Sequence, residues 1–330
     1  MPRPIILFSG PFADLPLEEL AGRASSWSYA GLELAIWGDH LDIHRLLDDS
    51  DYATRKLACL STHELQAPVI AAHRLSQALG DVIDERHRDL VPEHVWGNGD
   101  PAGVRRRAVD EMVATIRAAQ RLGASAVSGF TGSPIWSYVV GHPGPSAEQV
   151  ERAFHDFAAT WHPILDVCHE TGVRFACEVH PGQLAFDFYS SERLLDSIDR
   201  RPEFGFCVDP AHLHWQGVDP AAFVRHFGER VYHVHLRDVA ILLNGRSGLL
   251  NSYFSSGDSR RGWEFRAPGR GGVDWENFMR ALNAVGYDGP LSVDFHDAGL
   301  DRDFGAAEAA KFARQLDFPS CKREEPPAFR

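Results

Sequence analysis

The chain has 330 residues, 44% of them apolar and 24% charged, with a formal net charge of −13. This is the composition of a globular protein with room for one large barrel or two ordinary domains, and it excludes a disordered or membrane-embedded chain. The acidity argues against a protein that grips DNA or RNA by neutralising phosphates.

The five cysteines, Cys59, Cys168, Cys177, Cys207 and Cys321, are widely spaced with no C-x-x-C, as expected of reduced thiols in a cytoplasmic protein. The first apolar run, Ile5 to Phe8, is too short for a signal segment or membrane span and reads as a strand, so no membrane partner is expected.

In chain order, strand-like runs fall at Ile5–Ser9, Leu32–Trp37, Val69–His73, Ala126–Phe130, Val173–Glu178, Phe204–Asp209, Val231–Leu236 and Leu291–Phe295. Between them, Pro101–Leu122, Ala147–Thr171, Ser191–Asp199, Pro220–Phe227, Trp275–Val285 and Ala306–Gln315 carry apolar residues at helical spacing. Asp100-Pro101, Asp219-Pro220 and Ser146 before Glu148 mark helix starts. Strict β/α alternation over eight strands predicts a single (β/α)8 TIM barrel over residues 1–320, with an irregular tail at 321–330. The rival, a doubly wound sheet, would carry a Gly-rich phosphate loop; neither G-x-G-x-x-G nor G-x-x-x-x-G-K-[ST] occurs, and no nucleotide cofactor is expected.

Two long connections follow strands three and seven, Arg74–Asp100 and Val239–Gly272. Loops after barrel strands build the active-site rim. The second holds Arg246, Arg260, Arg261, Arg266 and Arg270, which suits a lid, an anion clamp, a partner surface or simply a solvated loop.

Four clusters end successive strands: Glu178-Val179-His180-Pro181, Asp209-Pro210-Ala211-His212, His233-Val234-His235-Leu236-Arg237-Asp238 and Asp294-Phe295-His296-Asp297. Residues two apart on a strand share a face, so Glu178 with His180, His233 with His235, and Asp294 with His296 would point together into a barrel mouth. Carboxylates gathered there repel unless a cation compensates, which predicts one divalent-metal site. Oxygen and imidazole donors without thiolates suit Mn²⁺ first, with Mg²⁺, Co²⁺ and Zn²⁺ as alternatives.

The segments E-V-H-P, F-x-x-D-P-x-H-L-x-W-x-G-x-D-P, Y-H-V-H-x-x-D and G-P-L-S-V, in this order between about Trp96 and Phe318, resemble the xylose-isomerase-like superfamily of sugar phosphate isomerases and epimerases, which also includes endonuclease IV-type DNA repair enzymes. The resemblance implies Glu178, Asp209 and His235 as metal ligands. At the fourth position Asp294 stands where that family carries Glu, one methylene longer, so a shifted metal, an intervening water or His296 as substitute ligand would be needed. In the family's epimerases two glutamates work on opposite faces of a keto-sugar, here Glu178 and Asp294 by position. The shorter Asp294 makes His180 an attractive single base, with a pKa expected near neutral, or else a residue supporting a ligand. His212, Arg237, Trp215 and His73 are candidate substrate contacts, Trp215 as an aromatic face for a sugar ring or as core packing.

The implied activity is metal-dependent proton abstraction next to a sugar carbonyl, as in keto-sugar isomerases and epimerases. An alternative ending is β-elimination from a 3-oxo-C- or O-glycoside by a lyase (deglycosidase), for which a small β-sandwich subunit or a second copy would be the partner. Abasic-site endonuclease activity is a remote third reading, disfavoured by the negative charge.

Overall fold

The computed structural model describes residues 2–250 and 252–319; the predicted tail and Cys321 lie outside the described residues. Its strands are β1 (Ile5–Phe8), β2 (Gly31–Ala35), β3 (Gln66–Ala71), β4 (Ala126–Gly129), β5 (Arg174–Glu178), β6 (Phe204–Val208), β7 (Val231–Leu236), β8 (Asp238–Ile241), β9 (Trp263–Arg266) and β10 (Leu291–Val293). All but β8 and β9 are parallel neighbours in a closed barrel, ordered β1-β10-β7-β6-β5-β4-β3-β2. This is the (β/α)8 architecture that the alternation predicts.

Helices begin where the sequence supplies caps. Asp100 accepts the amide of Gly103 at 2.8 Å ahead of Pro101–Leu122, which ends at left-handed Gly123. Ser146 and Gln149 form a reciprocal capping box on Ala147–Thr171.

Strand alternation sorts side chains into two layers. On β5, Phe175 and Cys177 join the core between strands and helices, and Val179 just beyond continues the pattern, while Glu178 turns inward. That outer core is aromatic around Trp161, whose ring lies 4.3 Å from Phe175 and 5.5 Å from Phe204. Each such ring, fully buried, contributes roughly 2–3 kcal/mol by leaving water.

Two expected connections differ in detail. Strand three stops at Ala71, and His73 opens a short helix, His73–Gln77, so it reaches the mouth from a helix start. The Val239–Gly272 connection is not wholly irregular: β8 and β9 pair antiparallel, Asp238 opposite Arg266 and Ile241 opposite Trp263. Asp238 anchors its base by accepting from Gly269 and Val273 amides and from Trp275 Nε1 at 2.8 Å.

Candidate metal and active site

The barrel interior is polar at its centre. Glu33, on β2, is fully buried and accepts from Nε2 of His233 (2.9 Å) and of His235 (3.0 Å) on β7 and from the hydroxyls of Ser128 (2.5 Å) and Ser292 (2.6 Å). Register explains the convergence, because Ser292 pairs directly with His235 across β10 and β7. Burial would raise the Glu33 carboxyl, but the charges of His235 and then His233 outweigh it and hold Glu33 well below the usual carboxylate range.

One layer nearer the mouth stand Glu178, Asp209, His235 and Asp294, all buried. Glu178, Asp209 and His235 each offer a ligand atom within 4.8 Å of the others. The local chain fixes Asp209: it caps the helix Pro210–Trp215, with Oδ1 accepting the Ala211 amide at 2.8 Å and Pro210 at the first helical position. Its other oxygen, Oδ2, is thereby left facing the mouth.

Arg237 gathers these acids. Its Nε donates to Asp209 Oδ2 at 2.7 Å and its Nη2 donates to the same oxygen and to Glu178 Oε1 at 3.0 Å, while Nη1 stands 3.1 Å from Asp294 Oδ2. His212 Nε2 lies 2.9 Å from the same Nη2 and 3.2 Å from Glu178 Oε1. Burial would raise Asp294 as well; Arg237 and then His296, whose Nδ1 is 2.8 Å from Asp294 Oδ1, outweigh it and hold the acid low.

Whether this donor set fits a divalent ion turns on His235. Its Nε2 is committed to Glu33, and its Nδ1 has no hydrogen-bond partner, lying 3.5 Å from Glu178 Oε2 and 3.8 Å from Asp294 Oδ2. Burial would lower this imidazole, against which the charges of Cys207, Glu33 and Glu178 raise it; since burial pushes the Cys207 thiol up to about 12, Glu33 and Glu178 are the charges that favour a cation beside the ring near neutrality. A proton on Nδ1 makes no hydrogen bond, Glu178 Oε2 standing at the outer limit of 3.5 Å, whereas a metal ion between Nδ1 and the carboxylates would satisfy both. His73 adds a second idle imidazole, Nε2 being 2.9 Å from Glu178 Oε2 yet not aligned for a hydrogen bond. The residues fit such an ion once Arg237 swings off the carboxylates.

His180 lies beside this group with its ring stacked on His212 at 4.3 Å. Nδ1 donates to the Pro181 carbonyl at 2.6 Å, which leaves Nε2 as the acceptor. The near-neutral pKa expected of it is not met: burial first, then the charge of His212, push it down to about 3. His180 is therefore neutral across the physiological range.

A cavity of about 650 Å³ opens at this mouth, with Glu178, His180, His212, Arg237, Asp294, His296 and His73 on its wall. Trp215 is not on that wall; it stacks face to face on Trp263 of β9 at 4.6 Å. The hairpin reaches the site through Phe265, whose ring lies 4.4 Å beneath the Arg237 guanidinium and 5.3 Å from His212. Sequence reasoning passed over Glu33; the signal was a lone acid inside the apolar strand Gly31-Leu32-Glu33-Leu34-Ala35.

Comparison with known proteins agrees with this architecture. The chain is 26% identical over 323 residues to the uncharacterized protein YfiH of Bacillus subtilis, covering 91% of this chain and 95% of YfiH. It is 27% identical over 157 residues to the inosose dehydratase of Geobacillus thermodenitrificans, covering 47% of this chain and 51% of that enzyme. Among solved structures, the 3-keto-D-glucoside 4-epimerase YcjR of E. coli superposes with a TM-score of 0.65 at 14% identity, covering 95% of this chain and 99% of YcjR. The IolI protein with bound zinc superposes with a TM-score of 0.62 at 17% identity, over 96% of both chains. The family described as xylose isomerase-like TIM barrel matches residues 21–316. With nearly the whole barrel inside that match, the chain belongs to the xylose isomerase-like TIM-barrel family.

Proposed function

We propose that this protein is a divalent-metal-dependent enzyme that removes a proton from the carbon beside the carbonyl of a keto-sugar or related polyol ketone. The observation that carries the proposal is the buried His235 Nδ1, without a hydrogen-bond partner and turned toward the carboxylates of Glu178 and Asp294. Glu178, Asp209, His235 and Asp294 would hold the ion. When bound, it supplies Lewis acidity that draws charge onto the substrate oxygens and acidifies the adjacent C–H. The inosose dehydratase, the keto-glucoside epimerase and the zinc-bound IolI protein among the similar chains support the same chemistry.

The chain's own groups divide the remaining work. His180, a neutral imidazole on the cavity wall whose Nε2 lies 3.4 Å from the Gln183 side-chain amide, would take the proton, its ring oriented by the Pro181 carbonyl and by His212. Arg237, released from the acids, pairs with a substrate oxygen. Phe8, Trp37 and Phe130 on the cavity wall exclude water from the reacting carbon.

A second reading ends in β-elimination, with loss of water or of an aglycone in place of return of the proton to the other face. Asp294 favours it: the acid is one methylene shorter than Glu and is committed to Arg237 and His296, so it is poorly placed to return a proton to a second face. The test is proton NMR in D₂O with keto-sugars, keto-inositols and 3-oxo-glycosides, using protein loaded with Mn²⁺ or Zn²⁺ and protein stripped by chelator. Deuterium appearing beside the carbonyl only with metal supports the proposal; an accompanying unsaturated product or free aglycone selects elimination. Absence of exchange across the panel with metal bound overturns it.

A further inference from the structure

Away from the mouth, three side chains from three separate helices meet on one point. Glu111 lies in the middle of Pro101–Leu122 and is 5% exposed. Its Oε2 receives Nε2 of His44, from the helix Ile43–Asp48, at 2.7 Å and Nε2 of His94, from the helix Glu93–Trp96, at 2.9 Å. The two imidazoles meet edge to face, 5.1 Å apart, and their side chains are 55% and 54% exposed. No lysine or arginine among the described residues pairs with this buried carboxylate.

A buried carboxylate normally takes a cationic partner, because leaving its charge uncompensated is costly. Here two imidazoles stand in that place, and one ring nitrogen of each, with a carboxylate oxygen, lie within 4.8 Å of one another. Two histidines and one carboxylate form a common zinc-type donor set, tetrahedral with a fourth position open to water. Ligands about 2.0–2.1 Å from a tetrahedral ion lie about 3.3 Å apart, so the Nε2–oxygen separations need to open by only a few tenths of an ångström. Exposed histidine side chains can supply that movement by small rotations.

We propose that His44, His94 and Glu111 form a second metal site, for a zinc-class divalent ion, independent of the mouth. Its role follows from what it joins. The helix bearing His94 belongs to the connection after β3, which also places Arg86, His87 and Leu90 on the cavity wall. An ion at this site ties that connection to two helices on the barrel's outer face and stiffens one side of the cavity from behind.

The test measures Zn²⁺ stoichiometry by equilibrium dialysis on untagged protein, comparing the wild type with the double variant His44→Ala/His94→Ala and with Glu111→Gln. The wild type is expected to bind one more zinc equivalent than the double variant, and Asp209→Asn, which alters only the mouth, is expected to keep that equivalent. Glu111→Gln should weaken the site at least about tenfold, since it replaces the one anionic ligand. The double variant strands the buried Glu111 carboxylate, so circular dichroism verifies its fold, and the triple variant His44→Ala/His94→Ala/Glu111→Gln, which removes that charge, is expected to lack the same zinc equivalent. Equal stoichiometry in wild type and double variant, or loss of the extra equivalent only with Asp209→Asn, overturns the proposal.

Discussion

Glu33 accepts the Nε2–H of His235 at 3.0 Å, across the barrel interior from β2 to β7 and out of reach of solvent. That single contact selects which nitrogen of His235 faces the mouth. It makes Glu33 a positioning residue for the candidate metal site although it lies below it.

Replacing Glu33 by Gln keeps the shape but removes the charge and offers a donor where two imidazoles and two hydroxyls donate. Metal affinity is expected to fall about 10–100-fold, as for other groups that orient a ligand from behind. Glu33→Ala, which strands four buried partners, should cost about 3–5 kcal/mol of stability. Chelator competition measures the first and urea unfolding the second.

His180→Gln should lower turnover by about 10²–10⁴-fold, the range for loss of a general base, while metal content stays at the wild-type value. Glu178→Gln and Asp209→Asn should lose metal and turnover together. Metal analysis beside the deuterium-exchange rate separates the two classes, and undiminished exchange in His180→Gln would remove it as the base.

Arg237 pairs with the same three carboxylates, Glu178, Asp209 and Asp294, that would hold a divalent ion, so the two compete. Arg237→Gln is therefore expected to bind metal at least about tenfold more tightly, because one positive charge leaves a low-dielectric site. Turnover should fall all the same, with loss of the substrate contact. Isothermal titration with Mn²⁺ checks the affinity; weaker binding would contradict the competition.

Burial pushes Cys168 up to about 12 from an ordinary value of 9.0. The unfolded chain then releases this proton at a lower pH than the folded one. Stability should thus be unaffected below pH 9.0 and fall above it, by at most about 1.4 kcal/mol per pH unit until the folded value is reached. The urea midpoint between pH 8 and 11 should decline more steeply for wild type than for Cys168→Ala. At pH 8, half-buried Cys59 is expected to react with iodoacetamide before Cys168, Cys177 and Cys207, which are buried.

The barrel was readable because period-two and period-3.6 patterns alternate cleanly and because Asp100, Ser146 and Asp219, which mark helix starts in the sequence, cap those helices. The gathering of Glu178, Asp209, His235 and Asp294 was readable for a related reason: all four sit at strand ends, where parallel register converges them. Glu33 was not, since a single acid on β2 acquires meaning only through partners some 200 residues away, on β7. Nor was the depressed pKa of His180, which depends on burial and on the ring of His212 stacked against it. The triad of His44, His94 and Glu111 has no local spacing to betray it, being assembled wholly by helix packing.

The β8–β9 hairpin starts one residue after Arg237 and returns Phe265 to seat its guanidinium. The part of the molecule that sets the pose of this central charge is thus an appendage, attached to the barrel but absent from its strand ladder. Such an arrangement works as an exchangeable fitting: descendants that reshape or shed the hairpin would re-aim the guanidinium and alter substrate preference while every stave stays in register.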